Sequence, residues 1–142
     1  ECIGQNGDYV RIVEELSNLA GKAGTLQAVS DHVDLDGGSG WLRYRVGGQD
    51  RHWDVKINDD WADPTVVGHI MRDLQTDSGR FYGKDNGQAT ILCYLTDGEA
   101  ARLNHLCGGA WRPAVSDDAA PSGGAPARSK AGLLSFIRKW FG

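Results

Sequence analysis

The chain has no run of about 18 apolar residues, so no segment reads as a membrane-crossing helix. No basic stretch followed by an apolar one opens it, so no signal peptide is read. Because the chain begins at Glu1 rather than Met, that reading covers only the residues given. Cysteine is scarce. Cys2, Cys93 and Cys107 are odd in number and lack CxxC spacing, which argues against a disulfide framework and against a structural zinc site. They read as reduced, partly buried thiols of a cytoplasmic protein, and spacing does not establish a Cys93–Cys107 bridge. Positive charge is also short. Residues 1–115 carry 17 acids against 11 Lys and Arg, a balance of −6, while residues 116–142 carry two acids and four bases, a balance of +2. An acidic body repels phosphate backbones, so no nucleic-acid partner is expected. It suits a basic protein partner, or simple solubility. GxSxG, HExxH, P-loop and GxGxxG patterns are all missing, so no nucleophile, metal or cofactor is marked out. An enzyme would need a site assembled only by the fold.

What is present is turn chemistry and periodicity. Twenty glycines fall mostly where turns are needed, and five tryptophans are more than a small core requires. The most informative stretch runs over residues 51–74. Trp53, Val55 and Ile57 alternate with His52, Asp54 and Lys56, which predicts a strand with one buried face. The loop Asn58-Asp59-Asp60-Trp61 leads to Asp63-Pro64, a strong helix start. Asp accepts from the free N–H groups of the first turn, and Pro at the first helical position gives up a donor the helix would not use. Val66, Val67, Ile70, Met71 and Leu74 then follow helical spacing.

Asn6-Gly7-Asp8 offers capping side chains for a helix over 8–20, carried by Tyr9, Ile12, Val13, Leu16 and Leu19 and stopped at Gly21. Residues 25–34 read as a bulged strand. After the turn Asp36-Gly37-Gly38-Ser39-Gly40, residues 41–46 alternate cleanly, and Gly47-Gly48 turns the chain into the 51–57 strand, completing an antiparallel meander. Beyond the 64–75 helix, Arg80-Phe81-Tyr82 reads as a short strand. The nearly continuous apolar run over 89–95 reads as a strand buried on both faces. Thr96 and Glu99 have capping-box spacing for a helix to about residue 106, with apolar Ala100, Leu103 and Leu106, stopped by Gly108-Gly109. Trp111 and Val115 then fold back. The order predicts an α+β domain over 1–115, with a mostly antiparallel sheet (the meander plus one or two further strands) packed by helices on one face.

Residues 116–129 shift to Ala, Pro, Gly, Ser and Asp, the composition of a flexible linker. In residues 130–142, Leu133, Phe136, Ile137 and Trp140 form a helical apolar stripe beside Lys130, Arg138 and Lys139. A free helix this short is marginal, so it needs a dock. Three are open: an anionic membrane surface, a groove on a partner, or the protein's own domain.

Several constellations invite chemistry. Asp31, Asp34 and Asp36 suggest calcium, but an EF-hand frame from Asp34 puts Ser39 at the glycine position and Arg45 at the bidentate Glu position, so a hairpin turn is the reading. Asp59, Asp60, Asp63 and His69 could be imagined as a metal site, yet Asp63 has its cap to make and no metal is expected. His32, His52, His69 and His105 stand in no recognisable relation to Ser or Cys. The candidate partner-binding residues are Trp41, Arg43 and Arg45, which share the outer strand face, with Asp59, Asp60 and Trp61 in the acidic loop. Trp and Arg dominate protein interfaces. The competing reading packs Trp41 or Trp61 beneath a loop.

Short matches carry a resemblance. Asp60-Trp61-Ala62-Asp63-Pro64, Gly79-Arg80-Phe81-Tyr82, Gly87-Gln88, and Tyr94-Leu95-Thr96 with Glu99-Ala100 resemble small bacterial α+β immunity proteins encoded beside secreted toxins. The resemblance spans roughly residues 8–110, and the linker and tail are not part of that layout. Such proteins share no catalytic residues. The resemblance implies a stoichiometric inhibitor that occupies a toxin's active site or blocks its movement. The expectation is therefore a non-enzymatic protein-binding module without a cofactor. A membrane-recruited adaptor using residues 130–141 is the alternative.

Overall fold

The computed structural model describes residues 2–87 and 89–116. Among them the order is α1 (Asp8–Leu19), β1 (Gln27–Asp34), β2 (Ser39–Val46), β3 (Gln49–Lys56), α2 (Pro64–Leu74), β4 (Arg80–Asp85), β5 (Thr90–Leu95), α3 (Asp97–Cys107) and β6 (Arg112–Pro113). The chain is α+β. The three strands with glycine-bearing turns form the antiparallel meander β1-β2-β3, and the later strands form a second antiparallel sheet, β5-β4-β6. In that second sheet β4 is the central strand, and among the described residues it shares no strand pairing with the meander. The expected linker over 116–129, apart from Ser116, and the expected helix over 130–142 lie outside the described residues.

The meander turns one face inward. Leu42, Tyr44 and Val55 are buried there, with Val46 and Trp53 partly buried, as period-two alternation requires. Against them lie Tyr9, Ile12, Val13 and Leu16 of α1, and Val66, Val67, Ile70, Met71 and Leu74 of α2. Helix α2 packs on both β3 and β4. It thereby joins the sheets through one core, which includes Phe81 and the partly buried Leu92 and Tyr94. Val115 returns to that core as expected, while Trp111 is only half-buried. Strand β1 carries the expected bulge. Its register shifts between Gln27 and Ser30, with Ala28 at φ 50°.

Three expectations need correcting. First, Asn6, Gly7 and Asp8 supply no side-chain cap for α1, whose N-cap is Gly7 at φ 98°. The free N–H groups are met by Asp31 of β1 instead. Its Oδ1 accepts from Gly7 at 2.7 Å, and its Oδ2 accepts from Tyr9 at 2.9 Å and Val10 at 3.3 Å. Asp8 turns back to accept from Gly4 and Gln5, and Asn6 accepts from Val33 of β1. Second, β5 is not buried on both faces. Leu92 and Tyr94 pack on the core, but Ile91, which alternation turns to the opposite face, is 49% exposed. Third, α3 has the expected capping box, yet it buries only Ala100, and Leu106 is 81% exposed. Its apolar residues are too sparse for a continuous stripe. Strand β4 is also longer than the expected 80–82, because β5 pairs with it along its whole length.

Helix α2 shows why the 51–74 stretch matters. Asp63 is 7% exposed. Its Oδ1 accepts from Thr65 N–H at 2.8 Å, the cap that the sequence predicts. Its Oδ2 accepts from Lys56 N–H at 3.0 Å, which ties the helix start to the end of β3. Its own N–H donates to the Tyr9 hydroxyl at 2.7 Å. Burial pushes the Tyr9 phenol up to about 12, so it stays neutral.

Candidate functional site

Strand alternation sends Trp41, Arg43 and Arg45 of β2 to the face opposite the core, together with His52 and Asp54 of β3 and His32 of β1. Register does the rest. Glycine turns bring His32 opposite Trp41, and Arg43 opposite His52. The Trp41 ring lies between two imidazoles, with centroids 6.1 Å from His32 and 6.2 Å from His52. The Arg43 guanidinium sits 4.4 Å from the Trp41 ring centroid, a cation–π contact. Its Nε donates to His52 Nδ1 at 2.7 Å. Because Arg only donates, His52 Nδ1 must accept, which puts the imidazole proton on Nε2, facing Asp54 Oδ1 at 3.2 Å. His32, Arg43 and His52 are exposed and Trp41 is half-buried. The reading that packs Trp41 beneath a loop gives way to a ring lying on an open sheet face.

Gly40 helps to fix this arrangement. A side chain there would place its Cβ 2.5 Å from the His32 carbonyl oxygen, so the close approach of β1 to β2 beside Trp41 requires glycine. Arg45 lies further along the same face and is held to Asp50, with Nε–Oδ1 at 2.7 Å. That pair holds the Asp50 carboxyl below its ordinary value and pushes the Arg45 guanidinium up.

Behind the face, β2 and β3 are braced to α2. Trp53 Nε1 donates to the Tyr44 hydroxyl at 2.9 Å, and that hydroxyl donates to Asp73 Oδ2 at 2.7 Å. Arg51 Nε reaches the same carboxylate oxygen at 3.3 Å. Burial, followed by the hydrogen bond to Asp73, raises the Tyr44 phenol far above its ordinary value. Trp53 stacks face to face on His69, with centroids 3.7 Å apart and rings 5° from parallel. Arg72 donates to His69 Nδ1 at 2.9 Å, while Arg72 Nε is buried without a hydrogen-bond partner.

Burial, then the Arg72 charge, holds the His69 imidazole below its ordinary value. The sign follows from linkage. Below the unfolded histidine value, near pH 6.5, the unfolded chain takes a proton that the folded one resists. The stabilisation is thus full above that pH and is lost as pH falls toward the depressed folded value. His69→Phe, which keeps a ring on Trp53, should flatten the pH dependence of the urea midpoint between about pH 7 and pH 5 relative to the native chain. Parallel profiles would remove this role for His69.

The acidic loop is a separate place on the surface. It is clamped to the N-terminal segment, where Ile3 N–H donates to the Asp60 carbonyl at 2.6 Å and Cys2 forms a bridge with Trp61. Asp59 takes φ 55°, a conformation that Asp tolerates better than most residues. The Asp59 and Asp60 side chains are exposed, and Trp61 is 36% exposed. The expected residues therefore fall into two groups: Trp41, Arg43 and Arg45 on the sheet face, and Asp59, Asp60 and Trp61 on the loop. The imagined metal grouping is not assembled. Both Asp63 oxygens are engaged, and His69 is committed to Trp53 and Arg72. Among the described residues, no group of three or more His, Cys, Asp or Glu side chains is placed to hold a metal ion. No helix among them is long and apolar enough to cross a membrane. Cys93 and Cys107 are free thiols.

His32 and His52 are the members that a residue-type reading leaves scattered. The missing signal is register. The Gly47-Gly48 turn sets Arg43 against His52, and the preceding turn sets His32 against Trp41. No protein-family model matches the chain, and no curated protein or solved structure matches it.

Proposed function

We propose that the chain is a non-enzymatic protein-binding module of the immunity type, which neutralises a cognate bacterial toxin by stoichiometric binding. One observation carries this reading. Trp41 and Arg43 stand on an open sheet face already held by His32, His52 and Asp54, before any partner arrives. Trp and Arg are the side chains that dominate interface energetics, and fixing them in advance removes much of the ordering cost of binding. The exposed carboxylates of Asp59 and Asp60 supply a second element. They suit a basic partner surface and speed encounter more than they strengthen the final contact.

The test starts from the full chain purified from its native source, with mass spectrometry of what accompanies it in equal amount. A single stoichiometric protein is expected. Trp41→Ala combined with Arg43→Ala should weaken its binding on the order of a hundredfold, chiefly in the off-rate, without changing the unfolding free energy by more than about 1 kcal/mol. Asp59→Lys with Asp60→Lys should slow association at low salt and leave dissociation nearly unchanged. Unchanged affinity in the first variant would remove the sheet face from the interface. An unchanged on-rate in the second would remove the loop.

A further inference from the structure

The outer face of the meander is balanced in fixed charge. Register sets Asp34 and Lys56 in one row across it, with Ser39 between them. Asp54 shares the next row with His32 and Trp41, Arg43 stands opposite His52, and Arg45 stands opposite Asp50. The carboxylates of Asp34, Asp50 and Asp54 thus offset the cations Arg43, Arg45 and Lys56. His32 and His52 are left to decide the net charge of the face. The two helices that touch the meander, α1 and α2, pack on its other side. His52 is faced by Arg43 and, diagonally, Arg45 of β2, and by Asp50 and Asp54 on its own strand. His32, with Asp34 on its own strand, faces it across Trp41.

Histidine is the side chain whose charge ordinarily changes between about pH 5 and 8. Here that charge also decides a hydrogen bond. Arg43 Nε donates to His52 Nδ1 at 2.7 Å, and the imidazole can accept there only while it is neutral. A proton taken from solvent goes to Nδ1, because Nε2 already carries one toward Asp54. The acceptor is lost, and two cations stand at hydrogen-bond distance, where they repel. The ring keeps its place, since a charged imidazole binds the Asp54 carboxylate more strongly than a neutral one does. Arg43 is therefore the group that swings away, and it is half of the Trp41–Arg43 anchor.

We propose that His52 is a pH switch for this face. Neutral, it fixes Arg43 over Trp41; charged, it releases Arg43 and, together with His32, turns a balanced face cationic. As a control on binding, this rests on the reading of the face as the partner surface. It deepens that reading by expecting a partner held at about pH 8 and released at about pH 5. A cationic face repels the basic partner that Asp59 and Asp60 suit.

Nitrogen-15 NMR of the full chain reads the switch without any partner. At about pH 8, His52 should carry its proton on Nε2 alone, and Arg43 Nε–H should exchange with water several-fold more slowly than that of exposed Arg102. At about pH 5, both ring nitrogens should be protonated and Arg43 should exchange as fast as Arg102. His52→Asn puts an amide oxygen in place of Nδ1 and cannot titrate, so Arg43 should stay protected at both pH values. His52→Phe, which suits a strand and offers no acceptor, should leave Arg43 unprotected at both. Equal protection of Arg43 at both pH values in the native chain overturns the proposal. So does a release at low pH that persists in His52→Asn.

The affinity for the protein that co-purifies in equal amount should fall on the order of tenfold or more between the two pH values in the native chain, and by less in His52→Asn. No fall, or an equal fall in both, overturns the control on binding. If Trp41→Ala with Arg43→Ala leaves that affinity unchanged, the partner reading fails by itself, and the NMR result still decides the switch.

Discussion

Asp31→Ala should lower stability by on the order of 2–4 kcal/mol, combining the net value of a charge-assisted hydrogen bond with the favourable placement of a carboxylate at a helix N-terminus. The side chain accepts from three backbone N–H groups at the start of α1. Alanine leaves all three without that partner, and Tyr9, which donates one of them, is buried. Asp31→Asn keeps one side-chain oxygen as an acceptor but loses the charge, so it should fall between the two. Urea denaturation of the three proteins checks the order. A midpoint for Asp31→Ala within error of the native chain would mean that water caps α1 equally well.

Asp63→Ala should be comparably severe. Loss of an N-cap alone costs about 0.5–2 kcal/mol. Asp63 also accepts from Lys56 N–H, and stranding that amide adds about 1–3 kcal/mol. Asp63→Ser separates the two contributions, since a serine hydroxyl can cap Thr65 N–H but is too short to serve Lys56 as well. Serine should therefore recover roughly the cap, about 1 kcal/mol, and leave the rest of the loss. Full recovery by serine would show that the link to β3 contributes nothing.

The sequence made some of this legible and hid the rest for identifiable reasons. Asp63-Pro64 and the Thr96…Glu99 spacing encode helix starts within a few residues, so both caps could be read directly. The alternation of Trp41, Leu42, Arg43 and Tyr44 encodes which face each side chain takes. Asp31 was invisible as a cap because the donors it serves lie 21 to 24 residues earlier, a separation with no local signature. The grouping of His32 and His52 around Trp41 needed hairpin register rather than residue type. The apolar run of β5 looked doubly buried, but composition cannot say whether both faces of a strand are covered, and Ile91 is left exposed on one of them.

The carboxylate of Asp31 also bears on the time course of folding. A 12-residue helix is marginal on its own, and the first turn of α1 is completed by a residue that reaches it only when β1 is in place. Asn6 and Val33 repeat the same link from the other direction. As the chain is synthesised, α1 emerges first but stays incomplete until the strand after it has been made. Closing that loop takes far less time than adding its residues, so synthesis rather than search sets when the helix becomes whole. Helix and strand then open and close as one cooperative unit, and no stage of folding holds a finished α1 without β1 beside it.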